Sequence, residues 1–170
     1  MKKQTAYDKQ ELKRGYLSLL FKLAVTAAVL LLFFSFVCLL WRVQGQEMFP
    51  AVRDGDLLLA SRLDKQYSRG DVVIYEAEGQ RRVGRIVARE SDRLEITKDG
   101  NLTVNGAMQS EAVFYPTQAE QEDFSVQVPE GCVYILGDHR DACRDSRDFG
   151  PVPAEHVKGK VIGLLRIRGF

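Results

Sequence analysis

Few residues in this 170-residue chain are placed to do chemistry. A serine attacks a carbonyl only when a neighbouring base takes its proton. Ser61, Ser68 and Ser146 are hydroxyl candidates, and none stands at a known spacing from a lysine or histidine. Two carboxylates can form an acid-protease pair sharing one proton, and Asp138 and Asp145 are the candidates for it in one stretch. That stretch runs Leu136-Gly137-Asp138-His139-Arg140-Asp141-Ala142-Cys143-Arg144-Asp145-Ser146-Arg147-Asp148-Phe149-Gly150. Asp145 and Arg147 are two apart, so on a strand they share a face and pair, which is a structural role. His139 and His156 read as surface or packing histidines, and the two His and scattered Cys match no metal-ligand spacing. No metal and no cofactor is expected.

These residues need a frame, and the chain outlines one. Strand signals follow one another with turn residues between them: Leu57 to Ala60, Asp71 to Tyr75, Val83 to Ala88, Arg93 to Thr97, Leu102 to Val104, Ser125 to Val128, Cys132 to Leu136 and Lys158 to Ile167. Asp99-Gly100 and Asn105-Gly106 are hairpin signals. Helical periodicity is nearly absent, so an all-β sandwich or barrel is expected. The acidic, polar stretch from Gln109 to Asp123 reads as an exposed loop.

One segment stands apart. Leu23 to Leu40 carries no charge, and Trp41 extends the run to nineteen residues. As a helix it spans ~28 Å, close to the ~30 Å hydrocarbon core of a bilayer. It is longer than a signal-peptide core, and Trp41-Arg42-Val43 is a poor cleavage site, so it reads as an anchor. Basic residues crowd the N-terminal side: Lys2, Lys3, Lys9, Lys13, Arg14 and Lys22. Basic flanks stay in the cytoplasm. The expected organisation is a cytoplasmic tail over 1–22, a transmembrane helix over 23–41 and an extracytoplasmic β domain over 42–170, a single-pass protein of the cell membrane in contact with lipid. The net charge of +1 gives no basic footprint for nucleic acid. Cys132 and Cys143 are expected as unpaired thiols.

The motifs resemble a known family. Val43-Gln44-Gly45-Gln46-Glu47-Met48-Phe49-Pro50, followed by Gly55-Asp56, resembles the first signature box of the type I signal peptidases, peptidase S26. Arg69-Gly70-Asp71-Val72-Val73 resembles the second box, and Arg82-Val83-Gly84-Arg85-Ile86-Val87 the third. The 136–150 stretch resembles the last, keeping Gly137, Asp138, Arg140, Asp145, Ser146 and Arg147, with His139 where Asn is usual. The resemblance covers nearly the whole chain in order. It implies the signal-peptidase β fold with one N-terminal transmembrane helix.

It also implies where chemistry should be, and three positions depart from it. The family's nucleophilic serine precedes the Met of the first box, where this chain has Glu47. Its general-base lysine falls at Gly84, and the serine that orients the lysine falls at Cys143. Glu47 has no proton to pass on and Gly84 offers no base. The pattern therefore resembles the catalytically degenerate signal-peptidase-like proteins of Gram-positive pilus assembly, which assist sortase-driven pilin polymerisation. The expected function is binding of an exported or pilin client, with a sortase as a further partner. The client groove is expected at Glu47, Met48, Phe49, Pro50 and Gly84, the apolar Met48-Phe49-Pro50 edge lying at the membrane and Gly84 lining an opening. Glu47 there favours a client that brings a basic or donating group. The alternative is an active signal peptidase with a displaced or non-standard nucleophile.

Overall fold

The computed structural model describes residues 2–97, 100–109, 124–141 and 143–166, with side chains from Leu12 onward. Two compact units divide the chain, one ending at Val37 and one beginning at Cys38.

The first unit is a helix, α1, spanning Lys2–Val37. Its Leu12–Val37 portion is 26 residues long and apolar enough to cross a membrane. Its leucines and phenylalanines are exposed all round, as in Leu31 at 72% and Phe36 at 81%. A helix apolar on every side suits a lipid surround. The helix starts earlier than 23 and takes in the segment read as a tail.

It also ends earlier than Trp41. Cys38–Arg42 forms strand β1, which pairs antiparallel with β2, Leu57–Ser61. Alternation explains the switch: Leu39 is buried and Trp41 packs on the same core cluster, while Leu40 is exposed. On a strand, residues two apart share a face, so this short run can bury Leu39 and Trp41 together.

Nine further strands follow: β3 Val72–Ala77, β4 Gln80–Arg89, β5 Arg93–Ile96, β6 Leu102–Val104, β7 Ala107–Met108, β8 Phe124–Gln127, β9 Cys132–Leu136, β10 Val152–Pro153 and β11 Val157–Leu165. They build a seven-stranded sheet in the order β1-β2-β11-β3-β4-β9-β10 and a four-stranded sheet in the order β7-β6-β5-β8. Each pairing is antiparallel. The expected all-β domain is present, as two sheets. The Asn105-Gly106 turn has both φ angles positive, which a tight hairpin of this kind needs. Asp99, most of the 109–123 loop and Ile167 fall outside the described residues.

Three apolar clusters fill the domain. Leu39, Val43, Met48, Leu58 and Ile74 belong to one. Val73, Tyr75, Ile86 and Ile135 belong to the next. Leu94, Ile96, Val104 and Tyr134 join the small sheet to the large one. A short helix, α2, Ser146–Phe149, stands after β9.

Candidate functional site

Glu47 lies in the connection after β1. Hydrogen bonds from Val43 N to Asp56 O at 2.9 Å and from Gly55 N to Val43 O at 3.0 Å close this connection into a loop. Met48 is fully buried in the first core cluster and anchors the turn. That placement corrects the expected groove: Met48 is a core residue, and of the Met48-Phe49-Pro50 trio only Phe49 and Pro50 remain half-buried. The Phe49 ring sits 6.3 Å from that of His139, and the Arg53 guanidinium carbon lies 5.7 Å above it.

The Glu47 side chain already has a partner. Arg82 Nη1 donates to its Oε1 at 3.1 Å, with the two side chains 11% and 26% exposed. Burial pushes the Glu47 carboxyl above its ordinary pKa, and the charge and hydrogen bond of Arg82 counter only part of that shift. The expectation that a client must supply a basic group to Glu47 is therefore corrected. Arg82 passes on to Gln80 Oε1 at 3.0 Å, and Glu78 on the β3–β4 turn meets Arg144 at 2.7 Å.

Gly84 sits two residues from Arg82 on the same face of β4. It lines no opening. A Cβ built there would stand 2.5 Å from Ile135 Cγ2, 3.2 Å from Tyr75 Cε1 and 3.3 Å from the Leu136 carbonyl oxygen. Tyr75 is 1% exposed and Ile135 is completely buried. The space a lysine stem would need is filled by two core side chains. Burial raises the Tyr75 phenol well above its usual range, with the Asp145 and Glu47 charges acting the same way, which places that ring close to the same centre.

Cys143 completes the cluster. Its Sγ lies 3.0 Å from the Glu47 carbonyl oxygen and 2.6 Å from that of His139, and its one proton can serve one of them at a time. The His139 amide donates to the Glu47 carbonyl at 3.0 Å. Burial pushes the thiol up to about 12, so it stays protonated and makes a poor nucleophile. Cys38, Cys132 and Cys143 are all free. Glu47 and Cys143 thus meet at Gly137, while Gly84 faces the carbonyl of Leu136, the residue before Gly137. A Cβ at Gly137 would collide with the Cys143 side chain and come within 2.7 Å of the Glu47 carbonyl oxygen, so only glycine fits.

The remaining residues of the last box hold this loop. Asp145, 1% exposed, caps α2 and accepts from Gly137 N at 3.0 Å and Arg147 Nε at 2.9 Å. Asp145 and Arg147 pair as expected, but across a helix cap rather than along a strand. Ser146 Oγ accepts from Ile135 N at 3.0 Å. Arg140, 2% exposed, donates to Gly137 O at 2.7 Å. Asp138 receives both Arg85 Nε at 2.8 Å and Nη2 at 2.7 Å, and Arg85 reaches Gly70 O at 2.9 Å. A proton shared between Asp138 and Asp145 would have to displace these bonds, so the two are not arranged as an acid-protease pair.

Arg82, Tyr75 and Ile135 were not singled out from the sequence. The two-residue spacing of Arg82 and Gly84 was a usable signal. Tyr75 and Ile135 required the register, in which Tyr75 faces Arg82 and Ile86 faces Ile135.

The sequence profile described as "Signal peptidase, peptidase S26" matches residues 16–165. The chain is 33% identical over 156 residues to the probable thylakoidal processing peptidase 2 of Arabidopsis thaliana, covering 83% of this chain and 42% of that protein. Thylakoidal processing peptidase 1 of the same plant is 31% identical over 137 residues, covering 71% of this chain and 39% of that one. The chain therefore spans about two fifths of the length of these relatives. Signal peptidase IB of Staphylococcus aureus is 26% identical over 171 residues, covering 88% of this chain and 89% of that protein.

Proposed function

The chain belongs to the signal peptidase family, peptidase S26, and from that membership we propose a membrane-anchored protein that has left catalysis and binds exported client chains to assist their assembly. One observation carries the reading: where the family pattern calls for a lysine, Ile135 and Tyr75 occupy the side-chain space around Gly84. At the nucleophile position Glu47 is tied to Arg82, and at the orienting position the half-buried Cys143 thiol stays protonated. Acyl transfer needs a nucleophile and a base within hydrogen-bond reach. Neither group is on offer here.

What the chain keeps is the frame around that centre: the Arg85–Asp138 fork, the Asp145 cap and the close approach at Gly137. Those residues hold a surface beside Phe49, Pro50 and His139, and this surface is the proposed client contact. The client is an exported chain. By analogy with the degenerate pilus-assembly proteins it is a pilin, and a sortase acts on the same client. The anchor is α1, with the N-terminus cytoplasmic and the β domain outside the cell membrane.

The relatives are named as peptidases, which supports the alternative of an active enzyme with a displaced nucleophile. Ser146 does not serve it, since it is buried and its Oγ accepts from Ile135 N. The test is incubation of the full-length protein in micelles with a preprotein. No cleavage is expected, while a photo-crosslinker at Phe49 in secreting cells should capture an exported chain. Cleavage abolished by changing a serine of this chain would overturn the reading, as would normal client assembly in cells lacking the protein.

A further inference from the structure

A polar cleft lies far from Glu47. It has a volume of about 570 Å³ and sits where the β2–β3 connection, the β4–β5 turn and the start of β9 meet. Arg82 and Arg89 are seven residues apart on β4, which places the cleft roughly 23 Å along the strand from the Glu47 pair. Its size falls within the range of ligand pockets, about 300–1,000 Å³.

Three features make it a built site. First, its walls are fastened to one another. Asp92 accepts from Arg69 Nε at 3.1 Å and Nη2 at 2.6 Å, from the Arg89 amide at 2.8 Å and from Asn105 Nδ2 at 2.9 Å. That single carboxylate ties the β2–β3 connection to the β4–β5 turn. Glu90 Oε2 accepts from Gly131 N at 2.9 Å, and Ala154 N donates to Gly131 O at 2.8 Å, which ties in β9 and the segment before β11. A cleft fixed in this way needs no ordering when a ligand arrives.

Second, the charges lining it are unbalanced. Lys65 and Arg89 line the cleft, and among the described residues neither has a carboxylate partner. Among the described residues Lys65 Nζ reaches the Val157 carbonyl alone, at 3.5 Å, and Arg89 Nη1 the Tyr67 carbonyl alone, at 3.3 Å. The one acid in the lining, Glu90, is the group already engaged by Gly131. Third, two serines, Ser68 and Ser91, stand in the lining beside the two cations.

Spare cationic and hydroxyl donors around a rigid cleft select carboxylates, because charge-assisted hydrogen bonds are the strong ones. We propose that this cleft binds an acidic peptide segment of a partner chain, read through Lys65 and Arg89. It is a second contact, separate from the Glu47 surface, and it stands or falls independently of the absence of catalysis.

Cys132 is a half-buried free thiol in the lining, so its alkylation rate reports whether the cleft is filled. The experiment uses the full chain in micelles, with iodoacetamide modification of Cys132 followed by mass spectrometry. The probes are a short blocked peptide of alternating glutamate and glycine, its glutamine analogue, and inorganic phosphate. At about ten times its half-protecting concentration the glutamate peptide should slow Cys132 modification roughly tenfold, as single-site occupancy requires. The glutamine analogue should not protect. Lys65→Gln with Arg89→Gln should remove protection, and Arg89→Lys alone should keep most of it. Absence of protection, equal protection by the glutamine analogue, or protection untouched by the double change overturns the proposal. Phosphate protecting as well as the peptide would also overturn it, because the cleft would then be an inorganic oxyanion site.

Discussion

At the residue scale the centre is governed by what surrounds Glu47 and Gly84. Glu47 has its pKa raised in the folded protein, by burial first, with Arg82 lowering it in part. A raised folded pKa means the native state holds its proton to higher pH than the unfolded chain does. This group therefore costs no stability below its unfolded pKa, and stability falls as pH rises through the folded value. Glu47→Gln keeps an acceptor for Arg82 and removes the buried charge. The variant should unfold at a higher temperature than the parent near pH 7, and the gap should close as pH falls toward about 4, the ordinary carboxylate range. Thermal unfolding of both proteins across that window measures it, and a parent that is the more stable at pH 7 would show that the ion pair outweighs its desolvation. Gly84 is tested by crowding. Gly84→Ala puts a methyl 2.5 Å from Ile135 Cγ2, and overpacking of this kind costs about 1–3 kcal/mol. Ile135→Ala in the same chain removes the obstacle, so a double-mutant cycle in urea should give less destabilisation than the sum of the single changes. For the same reason Glu47→Ser with Gly84→Lys should yield no peptidase activity while Ile135 and Tyr75 fill the site.

At the element scale, two junctions decide the site. The first is α2 and its cap. Asp145 serves the helix N-terminus, the Gly137 amide and Arg147 from a position 1% exposed. Removing one member of a buried pair leaves the other charge uncompensated, at a cost of about 3–5 kcal/mol. Asp145→Ala should lower the urea midpoint accordingly, and it should also expose Cys143 to alkylation as the Gly137 loop loosens. The second is β1. If residues 38–42 form a strand, burial alternates: Leu39 is 7% exposed and Leu40 is 61% exposed. Leu39→Ala should then cost about 2–5 kcal/mol, and Leu40→Ala should stay within about 0.5 kcal/mol. Equal effects of the two changes would argue that the helix continues through this segment.

At the scale of the whole molecule, the topology proposed for the chain makes a prediction about access. A cysteine replacing Thr5 should react with a membrane-impermeant maleimide only after cell lysis. A cysteine replacing Glu155, whose side chain is 82% exposed, should react in intact cells. The reverse pattern would invert the orientation drawn from the basic residues that precede the span. This readout does not depend on whether the domain cleaves, binds or assembles its clients.

The sequence alone determined the membrane-length apolar run, most of the strands, the all-β class and the residue types that stand in the signal-peptidase-like motifs. Each of these is a local signal: hydropathy over nineteen residues, alternation with period two, a turn dipeptide, or a residue type within a motif. Tertiary structure decided the rest. Leu39 and Trp41 read as part of the apolar run until β2 offered a strand to pair with, and Met48 read as a surface edge until the core closed over it. Gly84 looked like an opening because glycine is small, but whether that space is empty depends on Tyr75 and Ile135, which reach it from neighbouring strands. Glu47 looked like a charge in need of a partner, and its partner lies 35 residues away on β4. Burial and pairing are properties of contacts between segments distant in the chain, and no local pattern records which segment will arrive to fill a gap or meet a charge.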